Sequence, residues 1–282
     1  MKNILLPTDF SDNAWNAIFT AIKLFGNIDC HFILLNTYEP KFANLMGNKS
    51  KERLGVIYDS LSKNSNLQLE KSLEYLKANH SRNNHKFEKK SISNDIENAI
   101  NQLVQEKDID LVIMGTTGAT AAKEVFMGSN TVKVIKKVRS CPILAVPHEF
   151  DFKSLNSVVF PTNFTRSYSK NELKPLIDLT MLWKAEIMIL QVAQEYTLSD
   201  QQKANQQILI KRFAGVKHSL HKVDMWNNVA EATNKFAAEN GADLIALIHY
   251  SHTFFEKLTR EPVIRKMGFH SKVPLLVLPD LV

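Results

Sequence analysis

A glycine-rich segment in the first half of the chain has the composition and spacing of a phosphate-binding site. Gly115-Thr-Thr-Gly118 directly follows an apolar run, and nine residues later Gly128-Ser-Asn-Thr131 opens a segment with helical periodicity. Glycines allow a ligand to approach the backbone closely. Amide groups at the start of a helix point outward and favour an anion. The two turns therefore predict a site for a polyphosphate, with the hydroxyls of Ser129 and Thr131 as further donors or helix caps.

Polar residues also stand just after the first two apolar runs of the chain, which lie at residues 4–6 and 32–35. The carboxyl ends of parallel strands meet at one edge of a sheet, and doubly wound folds bind their ligands at that edge. We therefore expect the residues that follow these runs to lie beside the glycine motif.

Five apolar runs, with amphipathic stretches between them, predict the elements that position these residues. The predicted strands are residues 4–6, 32–35, 86–92, 111–114 and 143–146. The first predicted helix is capped by Ser11 or Asp12, and the second runs through 69–76 after a long loop or partial helix at 42–65. The third starts at Ser93 or Asn94, and the fourth spans 132–138. Strands that are apolar on both sides and separated by helices indicate a parallel sheet covered on both faces. Right-handed crossovers then give a doubly wound α/β fold.

The second half of the chain repeats the first. Ile4-Leu-Leu-Pro-Thr-Asp-Phe-Ser11 returns as Val158-Val-Phe-Pro-Thr-Asn-Phe-Thr165, and Cys141-Pro-Ile-Leu-Ala-Val-Pro147 returns as Val273-Pro-Leu-Leu-Val-Leu-Pro279. Repetition in the same order indicates a duplicated unit. The second unit is shorter, mostly between its second strand and its third helix. The predicted parts are a first domain at 1–147, a linker at 148–156 and a second domain at 157–282.

The spacing G-x2-G-x9-G-S-N after a strand matches the ATP-binding signature of the universal stress protein family, and Pro7-Thr-Asp-Phe-Ser11 resembles that family's first-strand motif. The resemblance covers nearly the whole chain, because both halves follow the family's order of strands and helices. It implies two tandem doubly wound domains, each with a five-stranded parallel sheet flanked by helices, of the adenine nucleotide alpha hydrolase-like type. It also implies ATP, together with Mg²⁺, as the ligand of the first domain.

The resemblance assigns roles to individual residues. Asp9 matches the family's acidic residue near the nucleoside, where a carboxylate can accept hydrogen bonds from ribose hydroxyls. The family's adenine contacts come largely from the backbone after the second strand, here Asn36 and Thr37. An Asp9 that only caps or turns the chain, and ordinary strand-end polarity at Asn36 and Thr37, stay open as alternatives. The full predicted site is Thr8, Asp9, Phe10, Asn36, Thr37, Met114, Gly115, Gly118, Gly128, Ser129, Asn130 and Thr131.

The second copy has lost the glycine motif. Neither of the first two glycines is present after its fourth strand, and Glu261-Pro262 aligns near Gly128. A glutamate adds negative charge, and a proline removes an amide donor, where a phosphate would bind. Asn163 takes the place of Asp9. We therefore expect a structural or regulatory second domain. The alternatives are another ligand in a crevice lined by His249, Tyr250 and His252, and a metal held by His249, His252 and His270.

The sequence contains a nucleotide cradle but little that indicates catalysis. It has no lysine motif of the P-loop type and no paired catalytic carboxylates. We expect an ATP-binding regulatory or stress-response protein that is not an enzyme, with at most slow ATP hydrolysis. A slow ATPase or nucleotidyltransferase-like enzyme is one alternative. A scaffold in which ATP is a structural ligand is the other.

Composition narrows the partners and the location. The net charge of +6 is spread over both halves and forms no concentrated basic patch, which argues against a nucleic-acid partner. No apolar run is long enough to span a bilayer, and the first residues do not resemble a signal peptide, so we expect a cytoplasmic protein. Two cysteines without metal-ligand spacing predict buried apolar residues. The two fifth strands can pair within the chain to form a pseudo-dimer, and a homodimer of chains stays open.

Overall fold

The computed structural model describes residues 1–39, 50–80, 82–117, 127–193, 197–224, 229–248 and 273–281. The strands are β1 Lys2–Pro7, β2 Cys30–Thr37, β3 His85–Ile92, β4 Leu111–Gly115, β5 Ile143–Val146, β6 Ser157–Thr162, β7 Glu186–Ala193, β8 His218–Asp224, β9 Leu244–Ile248 and β10 Leu275–Leu278. The helices are α1 Asp12–Leu24, α2 Ser50–His80, α3 Ile96–Lys107, α4 Ser129–Lys137, α5 Lys170–Trp183, α6 Asp200–Arg212 and α7 Val229–Glu239. No helix in these ranges is long and apolar enough to cross a membrane.

All ten strands form one sheet in the order β3-β2-β1-β4-β5-β10-β9-β6-β7-β8. The first five strands are parallel to one another, and so are the last five. The two sets meet at β5 and β10, which pair antiparallel with Leu144 opposite Leu276. The predicted doubly wound arrangement is confirmed. The two five-stranded sheets are continuous with each other.

Helices cover both faces of the sheet. Apolar residues of α1, α2, α5 and α6 pack on one face, and those of α3, α4 and α7 pack on the other. The central strands are therefore buried on both sides, as the residues of β4 and β5 show. These strands appear in the sequence as continuous apolar runs because both of their faces are buried.

Helix boundaries differ from the predictions where polar residues obscure the pattern. α2 already begins at Ser50, so much of the segment predicted as a loop or partial helix is helical. α3 begins at Ile96, later than predicted, with Asp95 as its N-cap, and the Asn94 side chain accepts a hydrogen bond from the Asp95 amide. α1 begins at Asp12 and is capped by Ser11, as predicted.

The length difference between the two copies is concentrated in one helix. α2 has 31 residues, and its counterpart α6 has 13. This difference lies between the second and third strands of each copy, within the region where the sequence offset predicts the shortening.

Both cysteines are buried free thiols. Cys30 begins β2, and Cys141 lies just before β5. Burial raises the pKa of Cys30 to about 11 and that of Cys141 to about 12. Both groups are therefore neutral and shielded near neutral pH.

We expect neither thiol of the folded protein to react measurably with Ellman's reagent at about pH 8, because the reagent requires an accessible thiolate. After unfolding in guanidinium chloride, two thiols per chain should react at once. Fast reaction of either cysteine in the folded state would contradict the burial described here. If the thiols bound zinc instead, full reaction after unfolding would require a chelator.

Candidate functional site

The predicted site residues gather at the carboxyl ends of β1, β2 and β4. β1 lies between β2 and β4 in the sheet, so the chain leaves β1 toward one side and reaches β4 on the other. This is the switch point at which a crevice forms in doubly wound folds. Every predicted site residue lies here except Gly118, which falls outside the described residues.

A tight turn follows β1 and presents Asp9 to solvent. The Thr8 hydroxyl accepts a hydrogen bond from the Phe10 amide at 3.0 Å. The Asp9 carboxylate accepts from the Ser11 amide at 3.1 Å and from the Ser11 hydroxyl at 2.6 Å. Phe10 adopts the left-handed conformation with φ of 64°, which is unusual for a large side chain and costs about 1 kcal/mol. The turn thus holds an exposed carboxylate at the tip of the central strand.

Asn36 ties the end of β2 to this turn. Its side-chain amide donates to the Thr8 carbonyl at 2.7 Å, and the Thr8 amide donates to the Leu35 carbonyl at 2.8 Å. The Asn36 side chain is therefore engaged within the protein. Asn36 and Thr37 are both half-buried at the end of β2.

Gly115 allows helix α1 to pack closely on the end of β4. A Cβ atom on Gly115 would lie 2.7 Å from the Asn13 side-chain nitrogen and 3.0 Å from the Asn13 carbonyl oxygen. Any larger residue would push α1 away from the strand. Met114 precedes it with its side chain buried in the core. Both residues thus shape the floor of the crevice.

The start of α4 uses two of its predicted phosphate contacts internally. The Gly128 amide donates to the Thr116 carbonyl at 2.7 Å, and the buried Thr131 hydroxyl donates to the Gly115 carbonyl at 2.9 Å. The N-cap residue is Gly128, and no side chain in the described ranges is seen to cap the helix. The first-turn amides of a helix have no partner within it, so the groups that face the crevice are those of the exposed residues Ser129 and Asn130.

Asn13 belongs to the site although the sequence analysis missed it. Its side-chain amide donates to the Thr117 carbonyl and to the Thr117 hydroxyl, both at 3.0 Å. Its side-chain oxygen is buried without a hydrogen-bond partner in the described part of the chain. One feature of the sequence could have indicated this role: Asn13 is a polar residue on the same buried face of α1 as Ala17 and Leu24.

The second copy builds the same turn and then covers it. Asn163 accepts from the Thr165 amide and hydroxyl, and Phe164 is left-handed with φ of 58°. Two side chains of α6 lie across the turn. Gln202 donates to the Asn163 carbonyl and Asn205 to the Phe164 carbonyl, each at 2.9 Å. Three predictions for the second copy fall outside the described residues: the crevice of His249, Tyr250 and His252, the metal ligands His249, His252 and His270, and Glu261-Pro262 near the position of Gly128.

A buried ion pair further fills this end of the second copy. The Arg166 guanidinium donates to the fully buried Glu172 carboxylate at 2.7 Å and lies 4.9 Å from the centre of the Tyr168 ring. Burial would raise the pKa of Glu172, but hydrogen bonds from the Ser169 amide and from Arg166 hold that pKa below its ordinary value. The Tyr168 hydroxyl in turn pairs with Thr162 at 2.9 Å.

A resident metal centre has no support in the described ranges. No group of three or more histidine, cysteine, aspartate or glutamate side chains within them is arranged to hold an ion. Asp9 is an exposed carboxylate just after β1, and a divalent cation bound here with a nucleotide would depend on oxygens supplied by that ligand.

Comparison with known proteins gives consistent results. The model of the universal stress protein family matches residues 1–147. Universal stress protein MJ0531 of Methanocaldococcus jannaschii is 26% identical over 51% of this chain and 81% of its own length. Universal stress protein MJ0577 of the same organism is 29% identical over 51% of this chain and 94% of its own. The crystal structure of a universal stress protein from Archaeoglobus fulgidus superimposes with a TM-score of 0.71 at 18% identity, covering 98% of both chains, which shows a shared fold.

We expect Arg166→Leu to lower the free energy of unfolding by about 3 kcal/mol, because it leaves the buried Glu172 charge without its partner. Urea denaturation at pH 7 measures this loss. The Glu172 pKa is lowered by folding, so its contribution is present above the ordinary value of 4.5 and disappears as the pH falls below it. Lys203→Leu removes an exposed pair with Asp200 and should cost less than about 1 kcal/mol. Equal losses of unfolding free energy for the two substitutions would show that the buried pair contributes no more to stability than the exposed one.

Proposed function

This chain belongs to the universal stress protein family, and from that premise we propose that it is a regulatory nucleotide-binding protein of the stress response. The proposed ligand is ATP, bound in the first half. The observation that carries the proposal is the meeting, at one edge of the sheet, of an exposed carboxylate at Asp9 with an uncapped helix start at Ser129 and Asn130.

The proposed roles follow the chemistry of the groups. Asp9 accepts hydrogen bonds from the ribose hydroxyls, since a carboxylate is a strong acceptor. The backbone of Asn36 and Thr37 contacts the adenine. The amides of Ser129 and Asn130, at the positive end of the α4 dipole, bind phosphate oxygens. Gly118 completes the phosphate side by the family resemblance.

The remaining predicted residues shape the site from beneath. Thr8 and Phe10 hold the turn that presents Asp9, and Gly115 with Met114 forms the floor. Gly128 and Thr131 fasten α4 to the end of β4 through their internal hydrogen bonds. Mg²⁺ enters with the triphosphate and neutralises part of its charge. The residues present fit such a ligand, because they supply donors to an anion together with one exposed carboxylate in a turn.

The second half is proposed as a structural or regulatory partner. Side chains of α6 and the Arg166–Glu172 pair occupy the region where the second copy would otherwise be open. We further propose the domain limits 1–147 and 157–282 with the linker 148–156, and a pseudo-dimer formed by the pairing of β5 with β10. Catalysis is not part of the proposal. Nucleotide occupancy would act by changing conformation or partners.

A matched pair of substitutions tests the phosphate end of the site. Asn130 and Asn171 are both exposed second residues of a helix, in α4 and α5 respectively. An aspartate at such a position suits the helix dipole, so neither substitution should destabilise the fold. Asn130→Asp should weaken ATP binding about tenfold, because its charge repels the phosphates, whereas Asn171→Asp should leave it unchanged.

The measurement is isothermal titration with Mg²⁺–ATP, preceded by mass spectrometry of any nucleotide released when the purified protein is denatured. About one nucleotide per chain is expected. Two nucleotides per chain would contradict the assignment of the second half. Equal affinity of the two aspartate variants would remove the start of α4 from the site.

Asp9→Asn tests the ribose end with an internal precedent. Asn163 makes the same turn in the second copy, with hydrogen bonds to Thr165 that match those of Asp9 to Ser11. The substitution should therefore change the free energy of unfolding by less than about 0.5 kcal/mol. ATP affinity should fall about three- to tenfold, since an uncharged acceptor forms the weaker hydrogen bond.

The control ligand is 2′,3′-dideoxy-ATP, which lacks both ribose hydroxyls. The natural protein should prefer ATP over this analogue, and Asp9→Asn should largely abolish the preference. If the variant binds ATP less tightly but keeps the same preference, Asp9 acts on the nucleotide by some route other than the ribose.

A further inference from the structure

The antiparallel pairing of β5 with β10 relates the two halves by an approximate two-fold axis, which passes between Leu144 and Leu276. The pairs Ile143–Val277 and Ala145–Leu275 are symmetric about it. The hydrogen bonds that fasten the strand starts repeat as well. Asp110 accepts from the Asn3 amide, and Asp243 accepts from the Asn156 and Ser157 amides. Any groove beside this axis must therefore occur twice, once at the start of β1 and once at the start of β6.

The linker fills the groove at the start of β6. Its residues Phe152 and Leu155 are buried in the core shared with α1 and α5. Phe152 packs edge-on against Trp183, with ring centres 5.2 Å apart. The indole of Trp183 donates to the Leu24 carbonyl at 2.9 Å. This groove has an occupant supplied by the chain itself.

Two side chains of α1 hold the linker by its backbone. Asn16 donates to the carbonyls of Pro147, His148 and Phe150, at 3.0, 3.3 and 2.8 Å. Lys23 donates to the Phe152 carbonyl at 3.3 Å and pairs with the Asp151 carboxylate at 3.2 Å. The linker, which begins with a turn closed by the hydrogen bond from the Phe150 amide to the Pro147 carbonyl, is bound in this groove because donors for its carbonyls line one side.

The groove at the start of β1 is open, with a cavity of about 420 Å³. Its apolar lining comes from both halves and includes Phe25, Leu111, Leu179, Leu182 and Leu276. Cavities of this size accommodate small organic ligands. It opens at the amino ends of β1 and β4, the opposite sheet edge from the nucleotide crevice.

The open groove lacks the donors that hold a peptide. Counted back from the C-cap residues Phe25 and Lys184, Asn16 corresponds to Pro175 and Lys23 corresponds to Leu182. Both replacements line the open groove, and neither has a side-chain donor. A bound peptide would bury carbonyl groups without partners there, which is costly. The groove therefore suits an occupant with an apolar body.

The charged residues at the rim of the groove are one lysine, Lys2, and two carboxylates, Asp110 and Asp178. The acidic members have close partners: Asp178 pairs with Lys174 at 2.6 Å, and Asp110 accepts from the Asn3 amide at 2.7 Å. The Lys2 ammonium is held more loosely, 3.7 Å from Asp178, with about a third of its side chain exposed. It is the cation at the groove best placed to turn toward a ligand.

We propose that the groove lined by Phe25, Leu179, Leu182 and Leu276 binds a small amphipathic carboxylate, with its apolar body against these residues and its carboxylate at Lys2. Octanoate is a suitable probe, and octan-1-ol is its uncharged control. The inference does not depend on the nucleotide proposal, because the two sites lie at opposite edges of the sheet.

The first test locates binding by NMR of methyl-labelled methionine. Met181 lines the groove and is 59% exposed. Its methyl resonance, assigned with Met181→Leu, should shift on titration with octanoate, with or without saturating ATP. No shift of this resonance at about 10 mM octanoate would overturn the proposal, since even weak binding saturates there.

Variants then separate the apolar body from the carboxylate. Met181→Glu places a negative charge at the rim and should weaken octanoate binding about tenfold. Ile208→Glu, an exposed position on α6, is the matched control and should have no effect. Lys2→Gln should weaken octanoate about threefold and leave octan-1-ol unchanged, whereas Lys203→Gln should alter neither. Equal loss for both ligands in Lys2→Gln would refute the carboxylate contact.

A competition experiment tests the other class of occupant. A synthetic peptide with the sequence of residues 148–156 should not displace octanoate, because Pro175 and Leu182 cannot hold its carbonyls. Displacement by this peptide would reassign the groove to extended peptides and overturn the proposal.

Discussion

The pairing of β5 with β10 is the contact on which the architecture depends. Both are four-residue strands with every residue buried, and each would be an edge strand in an isolated half. An exposed edge of unpaired backbone groups and apolar side chains promotes association with other chains. Antiparallel pairing within the chain removes both edges at once. The edges of the combined sheet are then β3 and β8, which carry many charged and polar residues.

The same turn after the first strand serves different ends in the two copies. Asp9 and Asn163 each accept two hydrogen bonds from a hydroxyl residue two positions on, and the phenylalanine between them is left-handed in both. The strain is therefore a property of the fold and not of one site. Among the described residues, the two turns differ in the side chains that lie across them. Gln202 and Asn205 close the turn of the second copy, and its Arg166–Glu172 pair fixes the adjoining helix.

The fold was largely predictable from sequence, because buried parallel strands have continuous apolar runs and because the chain repeats itself. The start of α2 was not, since its first turns carry polar residues with no periodic signal. The site was predictable in its location but not in the assignment of each group. Gly115 leaves room for Asn13, which a larger side chain would contact too closely, and the Gly128 amide donates to the Thr116 carbonyl. Such contacts join residues that are distant in the sequence, and spacing alone does not reveal them.

A single linker necessarily breaks the symmetry that a duplicated chain would otherwise have. Two identical halves related by a two-fold axis form two identical grooves, but only one connection runs between them. That connection supplies Phe152 and Leu155 to one groove and leaves the other without a covalent occupant. Asn16 and Lys23 fit the groove that receives the backbone, and Pro175 and Leu182 line the one that does not. The side-chain donors of the paired helices α1 and α5 are therefore found in the groove that contains the linker. The lining of each groove thus matches whether the connection passes through it. The groove at the start of β6 binds backbone carbonyls, and the groove at the start of β1 has an apolar lining.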